Sequence, residues 1–269
     1  LVRSQATALM CGAALGVVVM QAAAAQSTTV NATNITILER LVIGAGTPKV
    51  AIDTPQAVTV VNQDDIDATQ ATSIADVLST VPGVTLIGSE RILGESFNIR
   101  GIGTAETSGD EARIVVLVDG AKKFYEQYRM GSFFSDPELY KQVEVLRGPA
   151  SSTLYGSGAL GGVINFTTKD ASDFIADGKS GAARLKTQYS SNGSGTLVSG
   201  LVAQQVNDTF DILATGNWRR SDQFTLANGN VLSGSDFAAL SGLIKGTARF
   251  GDNDEQVLRL SYQRWSSDA

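Results

Sequence analysis

From about Ala182 onward, apolar and polar residues alternate with a period of two, and this pattern constrains the fold more than any other feature of the sequence. In one run, Phe210, Ile212 and Trp218 share the same parity. Such alternation predicts β-strands with one apolar face and one polar face. Turns rich in Gly, Asn, Ser and Asp separate the runs, and about five strands of this kind fit before the last residue.

Strands of about ten residues with a polar inner face and aromatic ends are typical of outer-membrane β-barrels. A soluble antiparallel sheet with one wet face shows the same alternation, so parity alone leaves both interpretations open. The smallest bacterial barrels need about eight strands. The export signal and the domain that precedes these strands, both described below, decide between the two interpretations. We therefore expect residues 170–269 to form the N-terminal part of an antiparallel transmembrane β-barrel, of which only the first strands are present. We expect the sequence to be truncated at its C-terminal end.

Residues 1–25 have the composition of a cleaved signal peptide. Arg3 supplies a positive start, residues 6–20 form an apolar stretch, and residues 22–25 offer a small-residue cleavage site. The apolar stretch is shorter than the roughly 20 residues that a transmembrane helix needs. We therefore expect export, with the single cysteine, Cys11, removed; together with the predicted barrel strands, this predicts localisation at the bacterial outer membrane.

Composition excludes several kinds of chemistry. The chain has no His and 1 Cys, so it can form no Ser-His-Asp triad and no His-ligated metal centre. We predict no catalytic residues, no resident cofactor and no enzyme activity. The net charge of -6 argues against a nucleic-acid partner. The G-x-G-x-x-G match at residues 156–161 is followed by a β-prone run, so it does not predict a dinucleotide site.

Residues 49–169 mix helix and strand signals and predict one compact α+β domain. The predicted strands lie at residues 57–61, 97–100, 113–118 and 143–146. Ser73 and Asp76 form a capping-box pattern ahead of an apolar pair, which predicts a helix start. Asp136 and Pro137 are typical of the start of a short helix with Pro in its first position.

Four blocks of this domain carry a family resemblance. They are Asn98–Gly101, Val116–Gly120, Val143–Gly156 and Gly158–Asn165. In order and spacing they resemble the plug domain of TonB-dependent outer-membrane receptors, from about residue 38 to residue 169 and more weakly beyond. The resemblance implies a plug domain inside a barrel that is embedded in outer-membrane lipid. The chain would then be a gate that performs no chemistry on its cargo.

The resemblance also implies that residues 26–48 form a periplasmic arm with a TonB box. In this family the box pairs as an added strand with TonB, which is driven by an energising complex in the inner membrane. A short, extended, Val/Ile-rich segment suits such β-augmentation. We assign the TonB box to Leu38, Glu39, Arg40, Leu41, Val42 and Ile43. Residues 28–30 are a weaker rival.

A lock between plug and barrel is a further implication of the resemblance. Arg100, Glu144 and Arg147 lie on or beside strands that a barrel would enclose, and family members pair the corresponding arginines with barrel glutamates. Buried guanidinium groups require carboxylate partners. We expect those partners beyond residue 269, with surface salt bridges of a free-standing domain as the alternative. Gly156, Gly158, Gly161 and Gly162 would allow positive φ angles and a close approach of the plug backbone to another wall.

The runs at residues 38–60 and 158–173 look most like the haem and haemoglobin receptors. The predicted function is therefore energy-coupled import of haem or of haem from haemoproteins. The plug histidine that this subgroup often uses is missing; Tyr125 or Tyr128 could ligate haem iron instead. Together with Arg129 they would equally suit a ferric siderophore, and an ordinary structural role stays open. The alternatives are a ferric-siderophore receptor of the same class and a secreted β-rich adhesin or binding protein.

Overall fold

The computed structural model describes residues 57–88, 94–103, 113–123, 133–149, 158–251 and 256–268, together with strand pairing at residues 41–42 and 49–50. The predicted signal peptide, the tyrosine loop with Tyr125, Tyr128 and Arg129, and most of the candidate TonB box lie outside these ranges. Within the described ranges, no helix has the length and apolar character that a membrane crossing requires.

A mixed α+β domain, which we call the plug, precedes a long antiparallel sheet. Its strands are β3 (Ala57–Asn62), β4 (Val84–Gly88), β5 (Glu95–Ile99), β6 (Ile102–Gly103), β7 (Ile114–Val118), β8 (Ala121–Lys122), β9 (Tyr140–Arg147) and β10 (Gly162–Thr168). Its helices are α1 (Gln63–Thr69) and α2 (Ile74–Leu78), with 3-10 helices at Pro137–Leu139 and Ala171–Asp173. Upstream, β1 (Leu41–Val42) pairs with β2 (Lys49–Val50).

The plug contains two sheets that share one apolar core. The larger sheet has the order β3-β9-β10-β7-β8, and the smaller has the order β4-β5-β6. Strand β10 pairs in parallel with β7 and antiparallel with β9. Ile66 of α1, Leu78 of α2, Ile99, Val145 and Ile164 are all buried in the same cluster. The helices therefore cover both sheets, as in a compact α+β domain.

Side-chain caps fix where the short helices begin. The Ser73 side chain accepts a hydrogen bond from the Asp76 N–H, and the Asp76 carboxylate accepts from the Ser73 N–H, so the predicted capping box is confirmed. The predicted short helix at Pro137 is also confirmed, because Asp136 caps a 3-10 helix with Pro in its first turn.

The long sheet follows the plug as a simple meander. Its strands are β11 (Gly181–Ser190), β12 (Gly195–Gln205), β13 (Phe210–Ser221), β14 (Phe237–Phe250) and β15 (Gln256–Asp268). They pair in sequence order, each antiparallel to the next. The predicted alternation is confirmed, with one difference from a soluble sheet. Apolar Ile212, Trp218 and Ile244 are exposed, whereas polar Asn217 and Lys245 are buried against the plug.

The plug glycines make their close contacts inside the plug. A Cβ atom on Gly161 would lie 3.1 Å from side-chain atoms of Ile102 and Ile114, and one on Gly162 would lie 2.1 Å from the Leu146 carbonyl oxygen. The close contacts of Gly161 and Gly162 therefore lie within the plug, and an approach of this glycine-rich segment to another wall stays a prediction. These two glycines allow β10 to pack against neighbouring plug strands, and Gly162 also has a positive φ of 146°.

Candidate functional site: the interface between plug and sheet

Carboxylates of the plug meet basic side chains on the inner face of the sheet. The carboxylates, which we call the acidic face, are Asp67, Asp119, Asp136, Glu138 and Asp170. The basic side chains, which we call the basic wall, are Arg184, Lys186, Arg219, Lys245 and Arg259. Each member of the basic wall lies within ion-pair distance of at least one member of the acidic face.

Arg219 and Asp136 form the most completely buried pair. The Arg219 Nε atom lies 3.0 Å from Asp136 Oδ2, and Nη2 lies 3.1 Å from Oδ1, so the pair is bidentate. Its side chains are 3% and 1% exposed. Asp136 also accepts hydrogen bonds from the Glu138 N–H and from the Ser241 hydroxyl. A buried pair with its remaining lone pairs satisfied in this way is stable against its desolvation cost.

Glu138 bridges two lysines, one from the plug and one from the sheet. Lys169 Nζ lies 3.3 Å from Glu138 Oε2, and Lys186 Nζ donates to Glu138 Oε1. Burial lowers the pKa of Lys169, and the negative charge of Glu138 opposes that effect. Lys186 also reaches Asp67, at 3.3 Å. Glu138 therefore ties the interior of the plug to β11.

Asp170 anchors the end of the plug to β14 and β15. Its carboxylate accepts hydrogen bonds from Thr247 Oγ1 at 2.8 Å and from Arg259 Nε at 2.9 Å. Lys245 Nζ lies 3.7 Å from the Asp170 carboxylate and 3.8 Å from that of Asp119. Burial, the largest influence, raises the pKa of Asp170, but the hydrogen bonds and charges of these partners together hold it below its usual range.

Asp67 and Arg184 form an ion pair in which both side chains are partly exposed. Arg184 Nη2 lies 2.7 Å from Asp67 Oδ1, with side chains 31% and 28% exposed. Burial raises the pKa of Asp67, but hydrogen bonds from Arg184 and Gln63 and the charges of Arg184 and Lys186 together lower it by more. Water reaches this pair, so it contributes less to docking than the buried pairs.

An apolar patch completes the interface. Leu201, Leu213 and Leu243 on the inner face of the sheet are buried and belong to the same cluster as the plug core. Phe134 of the plug also packs against Trp265 of β15, with ring centroids 5.6 Å apart, and the other contacts described above are ionic or hydrogen-bonded. The plug is therefore docked by a small apolar centre within a set of charge pairs.

The predicted lock residues lie apart from this interface. Arg147 donates from Nη1 to the Pro82 carbonyl at 2.7 Å, from Nη2 to Thr59 Oγ1 at 2.9 Å and from Nε to the Ala57 carbonyl at 3.3 Å. Burial lowers the pKa of Arg147, and the nearby positive charge of Arg100 adds to that. We call Arg100 and Arg147 the arginine pair. In the described part of the chain, neither forms an ion pair with a carboxylate.

Glu144, the third predicted lock residue, is buried in the plug. It accepts hydrogen bonds from Gln142 Nε2 at 2.7 Å and from Asn165 Nδ2 at 3.5 Å. The structure therefore brings Arg100 and Arg147 together but places Glu144 among plug side chains. A lock between the arginine pair and barrel carboxylates stays a prediction.

The acidic face and the basic wall were missed by the sequence prediction, which expected plug arginines to meet barrel carboxylates. One signal was present: Arg184 and Lys186 share the inward parity of β11, and Lys245 and Arg259 share that of β14 and β15. Basic residues on the inner face of a sheet require acidic partners on whatever it encloses. Within the described ranges, no group of His, Cys, Asp or Glu residues has the arrangement of a metal site.

In the described residues, the plug is docked on the polar face of an antiparallel sheet whose other face exposes apolar side chains. Residues 50–163 match the family described as TonB-dependent Receptor Plug Domain. The chain therefore carries the plug domain of the TonB-dependent receptors, followed by strands of their barrel.

Individual relatives are similar to this chain in sequence or in structure. A hemin receptor of Yersinia enterocolitica is 34% identical over 263 residues, which make up 95% of this chain and 35% of that relative. A TonB-dependent heme receptor A of Haemophilus ducreyi is 36% identical over 63% of this chain and 22% of its own length. The solved structure of a double mutant of the Serratia marcescens hemophore receptor HasR, in complex with its hemophore HasA and heme, has a TM-score of 0.66 and 29% identity, covering 80% of this chain and 32% of that one. The chain spans roughly a third or less of the length of these relatives.

Proposed function

We propose that the complete receptor containing this chain imports haem across the bacterial outer membrane and draws its energy from TonB. The observation that carries this proposal is the similarity to the Yersinia enterocolitica hemin receptor, which extends over 95% of the chain and so includes both plug and strands. The chain serves as part of a gate, and haem is its cargo rather than a resident cofactor.

The ionic character of the interface supports such a gate. Exposing apolar surface to water costs about 25 cal/mol per Å². Carboxylate and ammonium groups, by contrast, regain hydration when they separate. A plug docked mainly by charge pairs around a small apolar patch can therefore be displaced by a pulling force without exposing a large apolar area.

TonB would supply that force through the candidate TonB box, Leu38 to Ile43. Strand β1 supports this assignment, because Leu41 and Val42 already have the extended conformation that pairing with a partner strand needs. Substitution of Val42 by proline removes an N–H donor and should abolish import while leaving haem binding intact. Equal import by the proline variant would exclude this segment as the TonB box.

Haem would be bound at the outer end of the plug, with Tyr125 or Tyr128 as an iron ligand and Arg129 near a propionate. Tyrosinate can ligate haem iron, and guanidinium pairs well with carboxylate. The remaining barrel would complete the site, and its carboxylates would meet the arginine pair of the plug.

The test is a titration of the complete receptor with haem and with a ferric siderophore, combined with growth of a receptor-deficient bacterial host on haem as its iron source. We expect tight haem binding and growth on haem. Tyr125→Phe combined with Tyr128→Phe should weaken haem binding at least about tenfold. Tyr189→Phe, on the exposed side of β11, is the matched control. Tight siderophore binding without haem binding would overturn the proposal.

A further inference from the structure

The basic wall has a regular arrangement that docking alone does not require. Residues paired across β11 to β15 form rows perpendicular to the strands, and inward-facing rows follow each other at about 7 Å. Five consecutive inward rows each contain one basic residue. In order along the strands these are Arg219, Lys186, Arg184, Lys245 and Arg259.

The row assignments follow from the pairing registers. Arg219 lies in the first of these rows, and the next rows of β13 pass through Asn217, Thr215, Leu213 and Asp211. Lys186 pairs with Ser199, which pairs with Asn217, so Lys186 lies in the row of Asn217. Arg184 pairs with Leu201, which pairs with Thr215, so Arg184 lies in the row of Thr215. Lys245 pairs directly with Leu213, and Arg259 reaches the row of Asp211 through Thr247. The basic side chains thus occupy consecutive rows of the inner face but lie on different strands, so that Arg184 on β11 and Lys245 on β14 are also separated by about 14 Å across the sheet.

Every charge in this series is neutralised by a carboxylate of the plug. Asp136 holds Arg219 with both oxygens, Glu138 and Asp67 hold Lys186, and Asp170 holds Arg259. Arg249, one row further on, differs because it pairs with Asp211 of the sheet itself. When the plug is displaced, the basic wall therefore loses its counter-charges, whereas Arg249 keeps its own.

We propose that the basic wall is the path along which an anionic cargo passes once the plug carboxylates have moved away; this rests on the proposed function. The plug carboxylates occupy the positions that the carboxylates of the cargo take in turn. A series of unpaired cations on a wall of low dielectric attracts anions strongly. Haem carries two propionate carboxylates, the same chemical group that the plug presents, so each step along the wall exchanges one carboxylate for another.

The experiment compares two neutral pairs in the complete receptor. Asp136→Asn with Arg219→Gln removes one charge of the basic wall and leaves no buried unpaired charge. It also keeps a capping side chain at position 136. Asp211→Asn with Arg249→Gln is the matched control, because that pair is internal to the sheet. Arg184→Gln provides a second variant. Because the Arg184 side chain is 31% exposed, this substitution should not prevent folding.

Uptake is measured in energised cells with haem and with haem dimethyl ester, in which both propionates are neutral. Protease protection of the plug and haem binding without energy are recorded in parallel. We expect the Asp136/Arg219 variant and Arg184→Gln to lower haem uptake at least about threefold while ester uptake and haem binding stay unchanged. The control pair should change neither uptake.

Two outcomes of the haem experiment would overturn the proposal. Haem uptake that is unchanged in both variants excludes the basic wall as the path. An equal loss for haem and for its ester assigns these residues to docking of the plug alone. If the unaltered receptor imports no haem, the proposed function fails. The comparison is then repeated with an anionic ferric siderophore and its neutral ester. If wild type and variants take up the siderophore equally, or if none of them takes it up, the basic wall is excluded as the path of the cargo.

Discussion

The plug has two charged regions that differ in how their charges are satisfied. The acidic face meets a base on the sheet at every position, and its most buried pair, Asp136 with Arg219, is less than about a twentieth exposed. The arginine pair instead donates to backbone carbonyls and a hydroxyl, through Arg147, and meets no carboxylate in the described ranges. The charge of each plug surface thus indicates the charge of the strands that cover it: strands β11 to β15 cover the acidic face, and acidic strands are expected over the arginine pair.

The largest loss of stability is expected where a substitution would leave a buried charge without its ion-pair partner. Arg219→Ala removes the bidentate partner of Asp136 and should cost about 3 to 5 kcal/mol of unfolding free energy. The measurement is denaturant unfolding of the receptor in detergent, followed by protease protection of the plug. Arg220→Ala, at the neighbouring exposed position with its pair to Asp222 at 3.7 Å, should change stability by less than about 0.5 kcal/mol.

A rescue experiment separates the charge from the packing. Adding Asp136→Asn to Arg219→Ala removes the uncompensated charge and should recover about half of the loss or more. A double variant as unstable as the single one would mean that packing of the guanidinium, rather than the ion pair, holds the plug at this position.

The second prediction concerns a plug carboxylate that lies away from the long sheet formed by β11 to β15. Glu95, in β5, is buried against the start of α2, where its side chain accepts a hydrogen bond from the Ala75 N–H. Burial raises its pKa to about 7. Because this folded-state pKa lies above the unfolded value near 4.3, the contribution of Glu95 is fully present below that value and is lost as the pH rises through 7. The plug should therefore lose on the order of 3 kcal/mol between about pH 4.5 and pH 8.

Glu95→Gln should remove this loss and stabilise the plug at about pH 8, as measured by denaturant unfolding across the pH range. Asp170→Asn is the contrasting control. The pKa of Asp170 is lowered, so its contribution is present above the unfolded value of about 3.9 and is lost only as the pH falls through the folded value. A variant at position 170 should therefore leave the slope between about pH 5 and pH 8 unaltered. A wild-type plug with no slope in this range would contradict the role of Glu95.

The third prediction tests the arginine pair. Arg147→Gln loses hydrogen bonds to Pro82, Ala57 and Thr59 and should cost about 1 to 2 kcal/mol. In the complete receptor, Arg147→Glu should release the plug to proteases, and a second-site change from an acidic to a basic residue should restore it. We expect that second site in strands other than β11 to β15. A restoring site within those strands would contradict the division of the plug into two charged regions.

The secondary structure could largely be predicted from the sequence, because the signals for strands and helix starts depend on residues that are close together in the chain. Alternation located β11 to β15, and the patterns at Ser73 and Asp136 located helix starts, since caps depend on residues only a few positions apart. The ion pairs could not be predicted. Asp136 and Arg219 are far apart in sequence, and their meeting depends on how the plug docks. Sequence assigned Asp136 a capping role alone, and the docked structure adds the second role.

The smallest effect is expected at the exposed edge of the acidic face. Arg184→Gln should cost less than about 1 kcal/mol, because the Asp67 carboxylate is half-buried and keeps Lys186 as a neighbour at 3.3 Å. Water and salt reach this pair, so its contribution should shrink as the salt concentration rises from about 0.05 M to about 0.5 M, whereas that of Arg219 should change little. The measurement is the unfolding free energy of wild type and both variants at the two salt concentrations. If the two arginines respond to salt in the same way, burial does not distinguish the interior of the interface from its edge, and the expected order of effects is wrong.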